Sequence, residues 1–215
     1  MTSSYTVTLA TVRGDLIITE NMSSDHTQID SEIFKGCFSV REINLSQLTK
    51  IIRITNWFLP NFIILKKLIL PTDIQYIGSF FLIGCKSIKE INLSNLTKLT
   101  HINNTFLRKC TLLETLILPP NIEQIEYSFL EDCTNITEVN LSYLTKLTKW
   151  NISNLNIYLV FIVSNSLNIQ NYPTKLKYKS LIFINSFHQI NRKSINNFTK
   201  HVILNVKLNI HLGII

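Results

Sequence analysis

Short alternations of apolar and polar residues recur along the chain and set its architecture. In Glu90-Ile91-Asn92-Leu93-Ser94 every second side chain is apolar, so Ile91 and Leu93 lie on one side of an extended segment and Glu90, Asn92 and Ser94 on the other. Equivalent segments begin at Glu42 and Glu138, and Asn44-Leu45-Ser46, Asn92-Leu93-Ser94 and Asn140-Leu141-Ser142 stand 48 residues apart. Cys37, Cys85 and Cys133 keep the same spacing. A period of this size predicts stacked repeats, each touching only its neighbours, and hence a solenoid that presents an extended surface.

The repeat divides in two, because Cys85 and Cys110 are 25 residues apart and Cys110 and Cys133 are 23 apart. The shorter coil runs from Leu68-Ile69-Leu70-Pro71 through Ile74, Ile77, Phe81-Leu82 and Cys85 to Ile88, and again from Leu116-Ile117-Leu118-Pro119 through Ile122, Ile125, Phe129-Leu130 and Cys133 to Ile136. The longer coil begins Ile91-Asn92-Leu93-Ser94, adds Leu96-Thr97-Lys98-Leu99 and Ile102, and rejoins the scheme at Phe106-Leu107, Cys110 and Leu113. Residues 43–67 repeat the longer type, with Phe62 where cysteine is expected. Stacking pairs the opening segments as parallel strands, one row buried and the other displayed. Pro71 and Pro119 fall as the strands end, where a missing amide donor matters least. The stretches around Phe81 and Phe106 fit a short helix, a 3₁₀ turn or a second narrow strand, their apolar spacing being too brief to choose.

This scheme resembles the BspA-type leucine-rich repeat, whose coils read Leu-x-x-Leu-x-Leu-Pro, then Ile-x-x-Ile, then a Phe and a Cys before the next strand. The resemblance covers about residues 29–150. Gly14-Asp15-Leu16-Ile17-Ile18 through Ile29, Ile33-Phe34 and Gly36-Cys37 looks like a longer, divergent first coil acting as a cap. Two features depart from the family: its glycine and alanine near the Phe survive only as Gly78, and every second coil carries Asn-Leu-Ser in place of Leu-Pro. The abundance of Asn, Ile and Lys is of the kind associated with AT-rich protist or large-virus genomes. The resemblance implies a mainly β or α/β repeat, a right-handed solenoid with a parallel sheet face and about six coils alternating between 23 and 25 residues. The chain then divides into a capping repeat over 1–42, coils at 43–67, 68–90, 91–115, 116–138 and a partial 139–152, and a basic tail over 153–215. In function it implies a non-catalytic module that binds a protein, as a surface adhesin or as an intracellular scaffold working through the same face.

The displayed positions form two columns: Glu42, Lys67, Glu90, Thr115 and Glu138, beside Asn44, Ile69, Asn92, Ile117 and Asn140. One reading is good parallel packing, with Glu beside Lys and Asn separating the apolar Ile. The other is a partner-binding face, since Ile69 and Ile117 have no core duty and solenoids use such surfaces for partners.

Composition narrows the chemistry. Cys37, Cys85, Cys110 and Cys133 all follow an apolar pair at one place in the repeat, which predicts a buried structural ladder of thiols. No metal-ligand spacing occurs, and the five His residues lack a partnered nucleophile, so no catalytic residue, metal or cofactor is assigned. His101 reads as a solvated loop residue. Asn-x-Ser/Thr sequons recur because the repeat recurs, and they carry little weight as glycan sites. The start has no apolar core with a cleavage site, and the longest apolar run, 157–163, falls short of the roughly 20 residues of a membrane-spanning helix. That places the protein in the cytoplasm by default and at the cell surface by the resemblance.

The net charge of +7 is unevenly placed: residues 1–138 carry 12 basic and 14 acidic side chains, whereas 139–215 carry 9 basic and none acidic. The repeats themselves therefore give no reason to expect nucleic acid as a partner. After Trp150 the scheme fails, because Asn154 stands where Phe106 predicts an aromatic, Tyr158 replaces cysteine, and no strand in the register of Leu116 follows. Three readings of the tail stand open. It is a cap in which 157–163 covers the last coil and 181–184 packs behind it, or a basic strand displaying Lys175, Lys177 and Lys179, or unselected sequence after a frame change.

Overall fold

The computed structural model describes residues 9–12, 15–18, 26–151, 160–163 and 182–184, with side chains described over 26–151. Its parallel strands are stacked as a β-solenoid of about five turns. The opening segment of each coil forms one rung of a front face: Asp15–Ile18, Glu42–Asn44, Lys67–Ile69, Glu90–Asn92, Thr115–Ile117, Glu138–Asn140, Val160–Val163 and Ile182–Ile184. Glu42 lies opposite Lys67 and Asn44 opposite Ile69, while Glu90 lies opposite Thr115 and Asn92 opposite Ile117. An antiparallel strand, Leu9–Val12, pairs with Asp15–Ile18, which in turn runs parallel to Glu42–Asn44. The hairpin occupies the edge that the first rung would otherwise leave open.

Each coil also contributes a two-residue strand: Gln28–Ile29, Arg53–Ile54, Tyr76–Ile77, His101–Ile102, Gln124–Ile125 and Lys149–Trp150. These form a second ladder, with its inward residue, such as Ile54, Ile77 or Ile102, fully buried. His101 thus sits in a strand and is half-buried, its Nδ1 2.7 Å from the Thr100 hydroxyl, rather than in a solvated loop.

The stretch left open around Phe81 and Phe106 is neither helix nor strand. On this third side, alternate residues adopt the left-handed conformation: Trp57, Leu59 and Asn61; Phe80, Leu82 and Gly84; Thr105, Leu107 and Lys109; Ser128, Leu130 and Asp132. The outer amides reach forward to the next coil, as in Phe80 to the Asn104 carbonyl and Gly84 to the Arg108 carbonyl, while the middle one reaches back, as in Leu82 to Phe58 and Leu107 to Phe81. A non-glycine residue in this region costs about 1–2 kcal/mol. That strain is offset because each turn closes an inter-coil hydrogen bond and inserts a fully buried Phe-Leu pair. Phe58, Phe81, Phe106 and Phe129 stack through the interior with centroids 4.9–6.4 Å apart. The first coil solves the same problem differently. A 3₁₀ helix, Ser31–Phe34, capped by Asp30, lets the Ser31 hydroxyl accept the Leu59 amide and donate to the Trp57 carbonyl.

Coil pairing explains the 48-residue period. A longer coil is joined to the shorter one after it on all three sides: for 42–66 against 67–89 the front strands pair, the second strands pair, and third-side amides cross. Between 67–89 and 90–114 neither ladder is continuous. There, three third-side backbone bonds cross, from Phe80, Gly84 and Leu107, together with the Asn103 side-chain amide, which donates to the Ile77 carbonyl at 2.6 Å, the Cys110 thiol, which donates to the Leu82 carbonyl, and the Lys98–Asp73 ion pair. In the other coils a backbone amide makes the Asn103 bond, as Gly78 does to Ile54 and Glu126 to Ile102. The boundary between 42–89 and 90–137 is thus a break in both ladders as well as in the sequence repeat, whereas at the next such boundary the second ladder runs on through Gln124 and Lys149.

Strand register does not end at Trp150. Glu138 pairs with Val160, Val139 with Phe161 and Asn140 with Ile162, and the next rung sets Phe161 opposite Ile182. The coils shorten to 22 and then 21 residues, which abandons the 48-residue period, and Val160-Phe161-Ile162-Val163 has no polar alternation to mark it as a strand. Residues 182–184 stand beside 160–163 as the following rung, not behind them. Lys175, Lys177, Lys179, His188, His201 and His211 lie outside the described residues.

Candidate functional site

On the front face the chain's in-and-out alternation puts Ile43, Leu45, Ile91, Leu93, Leu116, Val139 and Leu141 in the core. The outward columns are set by the ladder register. Glu42 and Lys67 approach to 3.7 Å, and one residue earlier in the coil Lys89 and Glu114 pair at 3.0 Å. Both pairs are exposed, which limits each to under about 1 kcal/mol. Glu90, Thr115, Glu138 and Asn92 are exposed, whereas Ile69 and Ile117 are half-buried among the polar side chains beside them.

The asparagines have a local task that sequence pattern alone did not reveal. Asn44 Oδ1 accepts the Ser46 amide, Asn92 Oδ1 the Ser94 amide and Asn140 Oδ1 the Ser142 amide, each near 3.0 Å. These side-chain-to-backbone turns bend the chain out of the strand, so Asn-Leu-Ser does in the longer coils what Leu-Pro does in the shorter ones. The signal was present in the regular placement of Asn at the strand end. The remaining outward column is Glu42, Lys67, Glu90, Thr115 and Glu138, with the half-buried Ile69 and Ile117 beside it.

The cysteines form a polar ladder as well as an apolar one. Cys85 Sγ donates to the Leu59 carbonyl at 3.1 Å, Cys110 to Leu82 at 3.2 Å and Cys133 to Leu107 at 2.9 Å. Each acceptor belongs to a left-handed Leu of the preceding coil. Burial pushes the Cys85 thiol from an ordinary 9.0 up to about 12, and Cys110 is raised first by its neighbour Cys133 and then by burial. With their protons held and their sulfurs enclosed, Cys85 and Cys110 are poor nucleophiles. Cys37 is half-buried, and none of the four cysteines forms a disulfide. Among the described residues no group of three His, Cys, Asp or Glu side chains is placed to hold a metal ion, and no helix is long and apolar enough to cross a membrane.

A second surface escaped the sequence reading. At the corner between the second ladder and the third side, the Arg53 guanidinium lies 3.9 Å from the Tyr76 ring centroid. Trp57 and Phe80 stack at 3.9 Å with ring planes 2° apart. Arg53 and Tyr76, like Trp57 and Phe80, are one coil apart at 23 residues, a spacing that was available to find them.

A β-solenoid with an exposed strand face, an ordered apolar spine and a thiol column is the architecture of a leucine-rich-repeat protein. The BspA type leucine rich repeat region model matches residues 54–176 and 103–211, in six copies, and the chain belongs to that family. The match runs well past Trp150, in keeping with the two later rungs. The family is a protein-interaction module and is typically non-catalytic. No curated protein matches the chain.

Proposed function

We propose that the chain is a non-catalytic module that binds a protein partner through the column Glu42, Lys67, Glu90, Thr115 and Glu138 and the flanking Ile69 and Ile117. The observation that supports this reading is the fixed register of the front ladders, which holds acidic, basic and apolar side chains on a surface that costs no ordering when a partner arrives. A photo-reactive residue placed at Thr115 should crosslink a partner that the same residue at the exposed Thr145 does not, and Glu90→Lys should weaken that crosslink. Equal capture from both positions would reject the face. The adhesin version adds display outside the cell; failure of a membrane-impermeant reagent to label the native protein on intact cells would leave the scaffold version.

A further inference from the structure

The corner built by Arg53, Trp57, Tyr76 and Phe80 is a second interaction surface, and its chemistry selects a ligand. We propose that it binds an extended, acidic, proline-containing peptide segment, with a carboxylate on Arg53 and proline rings on the Trp57–Phe80 stack.

The argument begins with what the fold does not require. The column that holds Trp57 and Phe80 continues as Thr105 and Ser128 in the next two coils, all four with φ between 57° and 62°. The column of Arg53 and Tyr76 continues as His101, Gln124 and Lys149. Small or polar residues therefore satisfy the coil at both positions. Trp57 is nevertheless 51% exposed, and a bulky aromatic in a left-handed conformation is strained. Exposed Trp, Tyr and Arg are the side chains that dominate binding hot spots.

The two stacks also form a shaped surface. Trp57 lies four positions after Arg53, and Phe80 four after Tyr76, so the stacks stand within about 14 Å of each other along the backbone. Between them, with Ile54 and Ile77 turned into the core, the coils present Thr55 and Asn56, and Gly78 and Ser79. Asn56 Oδ1 accepts the Ser79 amide at 2.9 Å, and a Cβ on Gly78 would come within 2.5 Å of the Asn56 backbone nitrogen. The low floor is thus closely packed and closed to larger side chains. Two aromatic ridges over a fixed floor match an extended proline-rich chain, whose conformation is already ordered before binding.

Charge decides the rest. Resting on Tyr76 presents the planar Arg53 fork to solvent, a geometry suited to two-point contact with carboxylate. A nucleic acid strand could use the same stacking chemistry, but it needs a basic track, and residues 1–138 carry 14 acidic against 12 basic side chains. The chain's own residues 139–215 contain no Asp or Glu side chain to offer Arg53.

The test uses the full chain and a fluorescein-labelled peptide of Glu-Pro-Pro repeats, read by anisotropy and by acrylamide quenching of Trp57. Trp57 is one of two tryptophans, and the other, Trp150, is 2% exposed, so quenching reports on this corner. Saturable binding that shields Trp57 is expected, with Lys-Pro-Pro repeats and oligothymidylate binding at least about tenfold more weakly, a difference of 1.4 kcal/mol. Arg53→Gln, Trp57→Thr and Phe80→Ser place residue types the same columns already carry, so they should leave the far-ultraviolet circular dichroism unchanged while weakening the peptide about tenfold or more. Glu90→Lys, on the front face, should leave peptide binding unaltered, which separates this proposal from the front-face reading. No saturable binding up to about 1 mM, equal binding of the Lys-Pro-Pro peptide, tighter binding of oligothymidylate, or indifference to Arg53→Gln and Trp57→Thr would each overturn it.

Discussion

The thiols show how one residue type serves two demands at once. A left-handed Leu turns its carbonyl toward the following coil, and only a small, apolar side chain with a weak donor can fill the space and meet that oxygen. Cysteine does both, as at Cys110 against Leu82. The sequence displayed this column openly, since each cysteine followed an apolar pair. It could not show that Cys37 would be half-buried, because solvent access depends on the neighbouring coil and not on the motif. Ellman's reagent is expected to modify Cys37 in the native protein and Cys85, Cys110 and Cys133 only on unfolding. The proton linkage has a definite sign. Cys85 holds its proton more tightly when folded, so its contribution is complete below pH 9.0 and is lost as pH rises toward about 12. Urea midpoints should fall across that interval, and the fall should be shallower in Cys85→Ala. The asparagines teach a complementary lesson. A period of two correctly displayed Asn92 outward, but its bond to the Ser94 amide is made by local torsion angles that hydrophobic pattern does not encode.

At the scale of the element, the front strands were legible because their alternation persists for five residues, whereas the second strands are two residues long and carry no period. His101 was misplaced for that reason. The third side was hidden by its chemistry: Trp57, Leu59, Phe80 and Leu107 are not residues that normally mark a left-handed turn, and only inter-coil bonds and buried aromatic stacking hold them there. The stack should therefore be the most sensitive part of the coil. Phe81→Ala, flanked by Phe58 and Phe106, is expected to cost about 3–5 kcal/mol in chemical denaturation. Tyr143 marks a subtler dependence. Its hydroxyl accepts the Leu118 amide and donates to the Leu118 carbonyl, both at 3.0 Å, where the front ladder between 115–117 and 138–140 is interrupted. Tyr143→Phe should lower stability by about 1–3 kcal/mol, because it leaves both groups without that partner.

For the whole molecule, the fixed period made the solenoid legible, and its extent was concealed once that period lapsed. The rungs at 160–163 and 182–184 are reached by coils of 22 and 21 residues, and an all-apolar strand offers no face to read. Of the nine basic residues in 139–215, Lys146 and Lys149 lie in the coil that begins at Glu138. A chain ending after Asn151 would uncover the Glu138–Asn140 edge, and light scattering should show it self-associating at micromolar concentrations where the full chain does not.

The discontinuity between residues 67–89 and 90–114 has a mechanical consequence. A chain of springs stretched end to end yields at its softest link, and here both ladders are interrupted at the same boundary while the coils on either side are joined along three sides. Pulled from its ends, the protein should part there first, into a piece carrying the Arg53–Tyr76 corner and a piece carrying Thr115 and Glu138. The 48-residue echo would then be felt as a step in force as well as read as a pattern in sequence.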